Sequence, residues 1–404
     1  MMIVAIPAQA REGEGEGMSI LRLVVAVPIV ALALAACEVK GPFHIPKTGH
    51  LYRSWQAPGE VALGRGPQNL HWLDDDRVLF LGRDGAESSE ASVRVWSIST
   101  GEVKVVAPSI GNICYFRGYL TYQGPVDERI PVVHHGSIDA SEPRRVDHMA
   151  LFHAGYRMHP INCRYYHHKT ELAPQENCKV PLLPGDGSLN TQGDWCDEAA
   201  QERLRQLAAL PVGSNERRMA EAQLRLDMDS SAVRYVPPSD PAGVRLPIEA
   251  NEIPTFGHGF TYVEWKQAYL LPQVRAKGQV GKTIGEWPRD QPYRIYLLRA
   301  NGTLETIEVP ITEKFVYRPQ EATVTRAGPL LKAPRSSRNM RDELMGLVLF
   351  GPGGPEILSD GWTRQMALSP GGCRVAYDRQ LPNPDRKGLY HITLHAIDVC
   401  SGGR

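Results

Sequence analysis

Apolar residues in this chain come in short runs broken by turn chemistry. Residues 69–73 are short and alternating, Asp74-Asp75-Asp76 is a turn, and 77–82 (Arg-Val-Leu-Phe-Leu-Gly) reads as a buried strand. A polar loop over 83–91 leads to a strand at 93–98, a tight Ser99-Thr100-Gly101 turn and a last strand at 102–107. Strands this short, separated by turn residues, predict an antiparallel sheet. The layout returns near the C-terminus: 365–368, the turn Ser369-Pro370-Gly371-Gly372, 374–377, a polar loop, then 391–399 followed by Ser401-Gly402. Two further hairpins are expected. One joins 294–299 to 303–309 through Asn301-Gly302, the dipeptide a type I′ turn prefers, and the other joins 346–350 to 356–359. Residues 113–116, 119–122 and 130–134 supply three more strands.

The middle of the chain departs from this pattern. Residues 197–210 place Ala200, Leu204, Leu207 and Ala208 at helical spacing. A turn over 211–215 ends on Asn215, a good N-cap, and 216–228 is a weaker amphipathic helix through Met219, Ala222 and Leu226. With three cysteines nearby, residues 155–233 are expected to be a disulfide-stapled helical hairpin inserted between sheets.

The Ser-Pro-Gly-Gly turn before a second strand, with Thr100-Gly101 and Ser401-Gly402 before a fourth, resembles the blades of Tol-system and WD-type β-propellers. That resemblance covers two blades. It implies an all-β fold, a β-propeller over 57–404 interrupted by the insertion, with six or seven blades at roughly 40–45 residues each. Propellers of this kind commonly close by borrowing an N-terminal strand. A strand within 51–63 is therefore expected to complete the last sheet and cover an edge that would otherwise invite aggregation.

The N-terminal segment carries an address. A basic start at Met18-Ser19-Ile20-Leu21-Arg22 precedes an apolar run over 23–36, which is too short for a bilayer core of roughly 20 residues. Its end, Leu34-Ala35-Ala36-Cys37, resembles the lipobox of bacterial lipoprotein precursors. The resemblance implies that residues 1–36 are a signal peptide, that Cys37 carries the lipid, and that 37–56 is a tether. Residues 1–17 hold Glu12, Glu14 and Glu16 against Arg11, the wrong charge for a signal start, so they read as an over-extended gene start. Glu38 replaces the Asp that favours inner-membrane retention, which points to the outer membrane, facing the periplasm or the surface.

Composition narrows the function classes. Lys plus Arg equals Asp plus Glu, 45 against 45, so there is no electrostatic footprint for nucleic acid. In an oxidising compartment the six cysteines besides Cys37 read as three disulfides. Cys373 and Cys400 flank the last hairpin symmetrically and are expected to bond. The other four allow three pairings; Cys163 with Cys178, which closes a short loop, leaves Cys114 with Cys196. Seven of thirteen histidines lie between His134 and His168; His134, His148 and His153 are the candidates for zinc or copper, although no helical two-histidine spacing occurs. Asp74–Asp76 lacks calcium-loop spacing, and there is no nucleophile elbow, Ser-x-x-Lys or P-loop. No cofactor is implied. The expectation is a non-enzymatic binding or scaffold lipoprotein, its partners the membrane through the lipid and an envelope protein or glycan. Its rivals are a hydrolase or lyase acting on an envelope polymer and a His-rich metal-binding protein.

Overall fold

Two strands, β1 (Arg53–Gln56) and β2 (Glu60–Val61), precede a first sheet of β3 (Leu70–Trp72), β4 (Arg77–Arg83), β5 (Ala91–Ser97) and β6 (Val103–Ser109). This is seen in a computed structural model that describes residues 45–61, 70–83, 90–109, 113–116, 118–127, 130–138, 144–146, 179–182, 185–190, 198–253, 261–279, 287–288, 290–310, 321–332, 346–382 and 390–402. The chain divides into Met1–Ile45 and Pro46–Arg404, and everything below concerns the second unit. The order β3-β4-β5-β6 is the expected four-stranded unit, with β2 added to the far end of β4. Val78 to Leu81 are all buried, as a central strand covered on both faces requires.

Five more sheets follow among the described residues. The second holds β7 (Ile113–Phe116), β8 (Tyr119–Asp127), β9 (Ile130–Ser137) and β10 (Arg144–Val146). The third holds β11 (Lys179–Pro181), β12 (Ser188–Asn190), β13 (Ala232–Val236) and β14 (Val244–Glu249). The fourth holds β15 (Thr261–Val263), β16 (Ala268–Pro272), β17 (Tyr293–Arg299) and β18 (Leu304–Val309). The fifth holds β19 (Glu321–Thr325), β20 (Gly328–Lys332), β21 (Gly346–Gly351) and β22 (Gly354–Asp360). The sixth runs β23 (Met366–Leu368), β24 (Arg374–Pro382), β25 (Tyr390–Asp398) and then β1. Every pairing within these sheets is antiparallel, and the protein is mostly β.

The strand expected within 51–63 is therefore β1, antiparallel to β25 with Arg53 opposite Asp398 and Trp55 opposite Ala396. Within the range 37–56 expected to be a tether, Lys47 and 53–56 are paired to sheets. Lys47 already bridges to Ile357 and Thr48 N–H donates to the Ile357 carbonyl, because sheet edges offer this polar stretch backbone partners.

Neighbouring sheets share apolar cores. Leu79, Leu81 and Val93 of the first meet Ile113, Leu120 and Tyr122 of the second. Leu189, Tyr235 and Ile248 of the third meet Tyr269, Leu271 and Leu298 of the fourth. Leu330, Leu347 and Leu349 of the fifth meet Val375, Tyr377 and Ile397 of the sixth. Trp72, Phe80 and Trp96 of the first meet Ala376, Leu394 and Ala396 of the sixth, so the two ends of the sheet series pack together. Each fully buried side chain of this size contributes about 1.5–3 kcal/mol.

The helical insertion is real but differently placed. Helices α1 (Glu198–Ala209) and α2 (Asn215–Ser230) lie in the connection between β12 and β13, inside the third sheet rather than between sheets. The range 155–233 thus takes in β11, β12 and the start of β13. Strands of three residues beside Pro and Gly leave too few positions for a period of two to show. The N-cap is Ser214, not Asn215: its side chain accepts from Arg217 N, and Asn215 is already helical. Cys163, Cys178 and Cys196 lie outside the described residues.

Candidate functional site

In a four-stranded antiparallel sheet the first and third turns share one end, and the middle connection lies at the other. Here the first-turn end is tied from sheet to sheet by side chains. Tyr269 Oη of the fourth sheet donates to Asp186 Oδ2 of the third at 2.6 Å, and Tyr235 Oη of the third donates to the Ala300 carbonyl of the fourth. Trp265, in the turn after β15, donates from Nε1 to the Val324 carbonyl of the fifth sheet at 2.8 Å, with the Arg326 guanidinium 5.1 Å from its ring centre. Arg326 donates from N to the Gly372 carbonyl at 2.9 Å and from Nε to the Gly371 carbonyl at 2.6 Å, reaching the sixth sheet.

From there the joint passes to the first sheet through the turn Asp74–Asp76. Gly371 N donates to Asp75 Oδ1 and Arg374 Nη1 to the Asp75 carbonyl, both at 2.6 Å. Burial alone would raise the Asp76 carboxyl. Hydrogen bonds from Ser97 and Ser99, together with the Arg374 charge, outweigh it and hold the group below the usual carboxylate range. The acidic turn is thus a joint: Asp74, Asp75 and Asp76 each accept from protein donors. Between the first and second sheets, His71 Nε2 lies 3.4 Å from the Ile113 carbonyl oxygen.

Cys373 and Cys400 are joined at this same end, Cα–Cα 5.3 Å, as expected. Val399 N donates to the Cys373 carbonyl, so Cys400 lies one residue past the facing position. Asp398 stands close to both sulfurs, but bonded sulfurs are not thiolates and offer a metal nothing.

The opposite end holds buried polar clusters that serve as feet for the connections. Asp378, 2 % exposed, accepts from Arg364 N at 2.8 Å, Gln365 N at 2.6 Å and Gln380 Nε2 at 3.0 Å. Burial raises its carboxyl in spite of those donors. Lys332 Nζ donates to Glu321 Oε2 and to the Arg364 carbonyl, both at 2.6 Å, fastening the fifth sheet to the same segment. On β25, Thr393 Oγ1 lies 2.8 Å from His395 Nε2, a hydroxyl–imidazole pair. Burial and the nearby Arg379 charge push His395 down to about 4, and its ring stacks on Tyr377 at 5.5 Å. The pair is a neutral brace on the strand.

A second foot carries the helical hairpin. Glu252, 1 % exposed, accepts from Glu249 N at 2.9 Å and Gln273 Nε2 at 3.0 Å. Burial and the Glu252 charge raise the Tyr296 hydroxyl and the Glu249 carboxyl alike. Ala250 N donates to the Ser231 carbonyl at 2.8 Å, and Arg275 lies 3.7 Å from Asp229, so α2 ends on this foot.

Above it the hairpin stands with little cover. Leu204, Leu207 and Leu210 are half-buried, as are Ala220, Leu224 and Met228, so these residues face inward. The face expected from the sequence, Met219, Ala222 and Leu226, is the one left outside; an offset of one or two residues separates the two readings of a weakly patterned helix. Met219 is 75 % exposed, Leu226 42 % and Val212, in the turn between the helices, 89 %. Among the described residues six large apolar side chains are exposed, and the hairpin holds these three. It is the candidate functional site.

Of the other expected site residues, the structure describes only His134 and Cys114. Cys37, His148 and His153 lie outside the described residues. His134 stands on β9 between Tyr122 and Arg145, and Cys114 on β7 opposite Thr121. Glu252, Asp378 and Asp186 escaped the sequence reading. Only Glu252 had a signal, a carboxylate three residues after Glu249 in the manner of a capping box.

Neither a family model nor a curated protein sequence matches the chain. Among solved structures it is similar to TolB from Acinetobacter baumannii, at 11 % identity and TM-score 0.22 over 82 % of this chain and 54 % of that one. The chain therefore spans about half the length of that protein. It is also similar to a putative glucose dehydrogenase from Thermus thermophilus, at 12 % identity and TM-score 0.32 over 86 % and 99 % of the two chains. A third is the β-propeller domain of the Trilobed protease from Pyrococcus furiosus, at 8 % identity and TM-score 0.30 over 81 % of each. Superpositions this loose carry no argument about function.

Proposed function

We propose that this protein is a lipid-anchored cell-envelope module, held through Cys37 at the outer membrane, that binds another envelope component without catalysing a reaction. In this reading the six sheets are the blades of a propeller, with β1 closing the sixth. The supports for closure are the shared cores, the bonds that run at the first-turn end from the third sheet through the sixth to the first, and the approach of His71 to Ile113 between the first and second. The observation that carries the binding role is the exposed apolar stripe on α2, raised on a buried polar foot. Apolar residues spaced along one exposed helix face offer a partner an anchor line.

The test uses the full chain in its own cells. Labelling with a palmitate analogue is expected to mark the protein and to be lost in Cys37→Ala. Membrane-preserving crosslinking is expected to recover a discrete adduct. Release of reducing ends from purified envelope polymer by the detergent-solubilised protein would instead establish the hydrolase alternative and sink the non-catalytic reading.

A further inference from the structure

We infer that α2 docks as a helix into an apolar groove of an envelope protein whose rim carries carboxylates on one side. This rests on the binding reading above and names the chemistry of its partner. At about 100° per residue, Met219, Ala222 and Leu226 fall within about 60° of one another, opposite Ala220 and Leu224. Their spacing, i, i+3 and i+7, is the anchor pattern of a helix laid into a groove. Ser214 fixes the start of the helix by accepting from Arg217 N, and the Glu252 foot fixes its end, so the stripe is presented in one orientation.

Charge identifies the occupant. Arg218 and Arg225, seven residues apart, lie side by side along one flank of the stripe. Arg217, on the packed side, is neutralised by Glu221 at 2.8 Å. Arg218 donates only to the Gly213 carbonyl, at 3.2 Å, and Arg225 has no partner among the described residues. The other flank carries Glu216 and Gln223, the latter donating to Asp227 Oδ1 at 2.7 Å. Two unneutralised guanidiniums beside an apolar stripe fit a groove with Asp or Glu along the matching rim. A second copy docked antiparallel would set Arg218 of one chain beside Arg225 of the other, because an isologous contact turns the same flank toward itself.

The test places a photo-crosslinking p-benzoylphenylalanine at Gln223, on the far flank from the arginines, in the full chain in intact cells. The expected result is an adduct with one envelope protein, crosslinked within a peptide that holds apolar residues next to Asp or Glu. Arg218→Glu with Arg225→Glu is expected to lower adduct yield about tenfold, and Met219→Ser with Leu226→Ser by as much. Lysine at both arginine positions should keep yield within about twofold, since charge rather than fork geometry is invoked. Unchanged thermal midpoints separate these losses from unfolding. An adduct with a second copy, an adduct with lipid, or a yield indifferent to charge reversal overturns the proposal. A parallel probe at Val105, an exposed apolar residue of β6, separates the two levels. An adduct there but not at 223 leaves the protein a binding module and removes the hairpin from the role, and silence at both removes the two together.

Discussion

The two ends of the sheets follow opposite rules. At the first-turn end the chain crosses from first to second strand in two to six residues, and five of these six turns or their flanking strands are bonded to a neighbouring sheet. At the other end the middle connections run from 7 to 41 residues in five of the six sheets, and the longest carries both helices. Short turns leave few ways to be wrong, so one side chain from next door can fix each of them. Long connections cost little extra closure entropy, about 0.6 kcal/mol per doubling, and are free to vary. Turn residues carry the ties between sheets where the chain turns tightly, and recognition is proposed where it wanders.

That contrast can be broken at the turn end first. Replacing Cys373 and Cys400 by Ser together should cost about 3.5 kcal/mol, from the loop entropy of a 27-residue separation. Urea midpoints with and without reductant measure it; a double variant as stable as the oxidised parent would remove the disulfide from the joint. Next comes Gly372→Ala. Gly372 has φ +79°, and a Cβ there would lie 2.4 Å from Trp265 Cδ1. Left-handed strain and overpacking together predict a loss of about 2–3 kcal/mol, read as a lower thermal midpoint.

A smaller effect comes from His395, held at about 4 against an ordinary 6.5. A depressed imidazole favours the fold in its neutral form. Its contribution is complete above 6.5 and is lost as pH falls from 6.5 through 4. Allowing for partial exposure, the loss is about 1–2 kcal/mol. His395→Gln should show a shallower decline between pH 7 and pH 4 than the parent, and equal slopes would refute the assignment. Smallest of all, Met219→Ala with Leu226→Ala should change stability by less than about 0.5 kcal/mol. A larger loss would mean that the stripe is covered within the fold and that the ends do not differ as described.

The sequence was legible where strands are long enough to count. β4, β5, β17 and β25 have seven to nine residues, and each was located with its facing strand. β11, β12 and β15 have three, and the first two vanished into the insertion. Cys373–Cys400 was readable because index arithmetic places opposite residues in a hairpin. The joints were not, because Asp75 with Gly371 and Trp265 with Val324 are long-range pairs with no local signature. On α2, two weakly apolar faces compete, and only the packing within the fold decides which one stays outside.

The strand β1 also sets how the molecule would answer to force. Tension entering from the N-terminal side reaches Thr48 and Tyr52, whose hydroxyls donate to Glu356 of the fifth sheet. It then runs into β1, which lies flat along β25 of the sixth. Four facing pairs, from Arg53 with Asp398 to Gln56 with His395, hold β1 there. The Cys373–Cys400 bond fastens the loaded strand's neighbour, β25, to β24 behind it. A load entering at β1 would therefore meet the seam between the fifth and sixth sheets, not a loose thread.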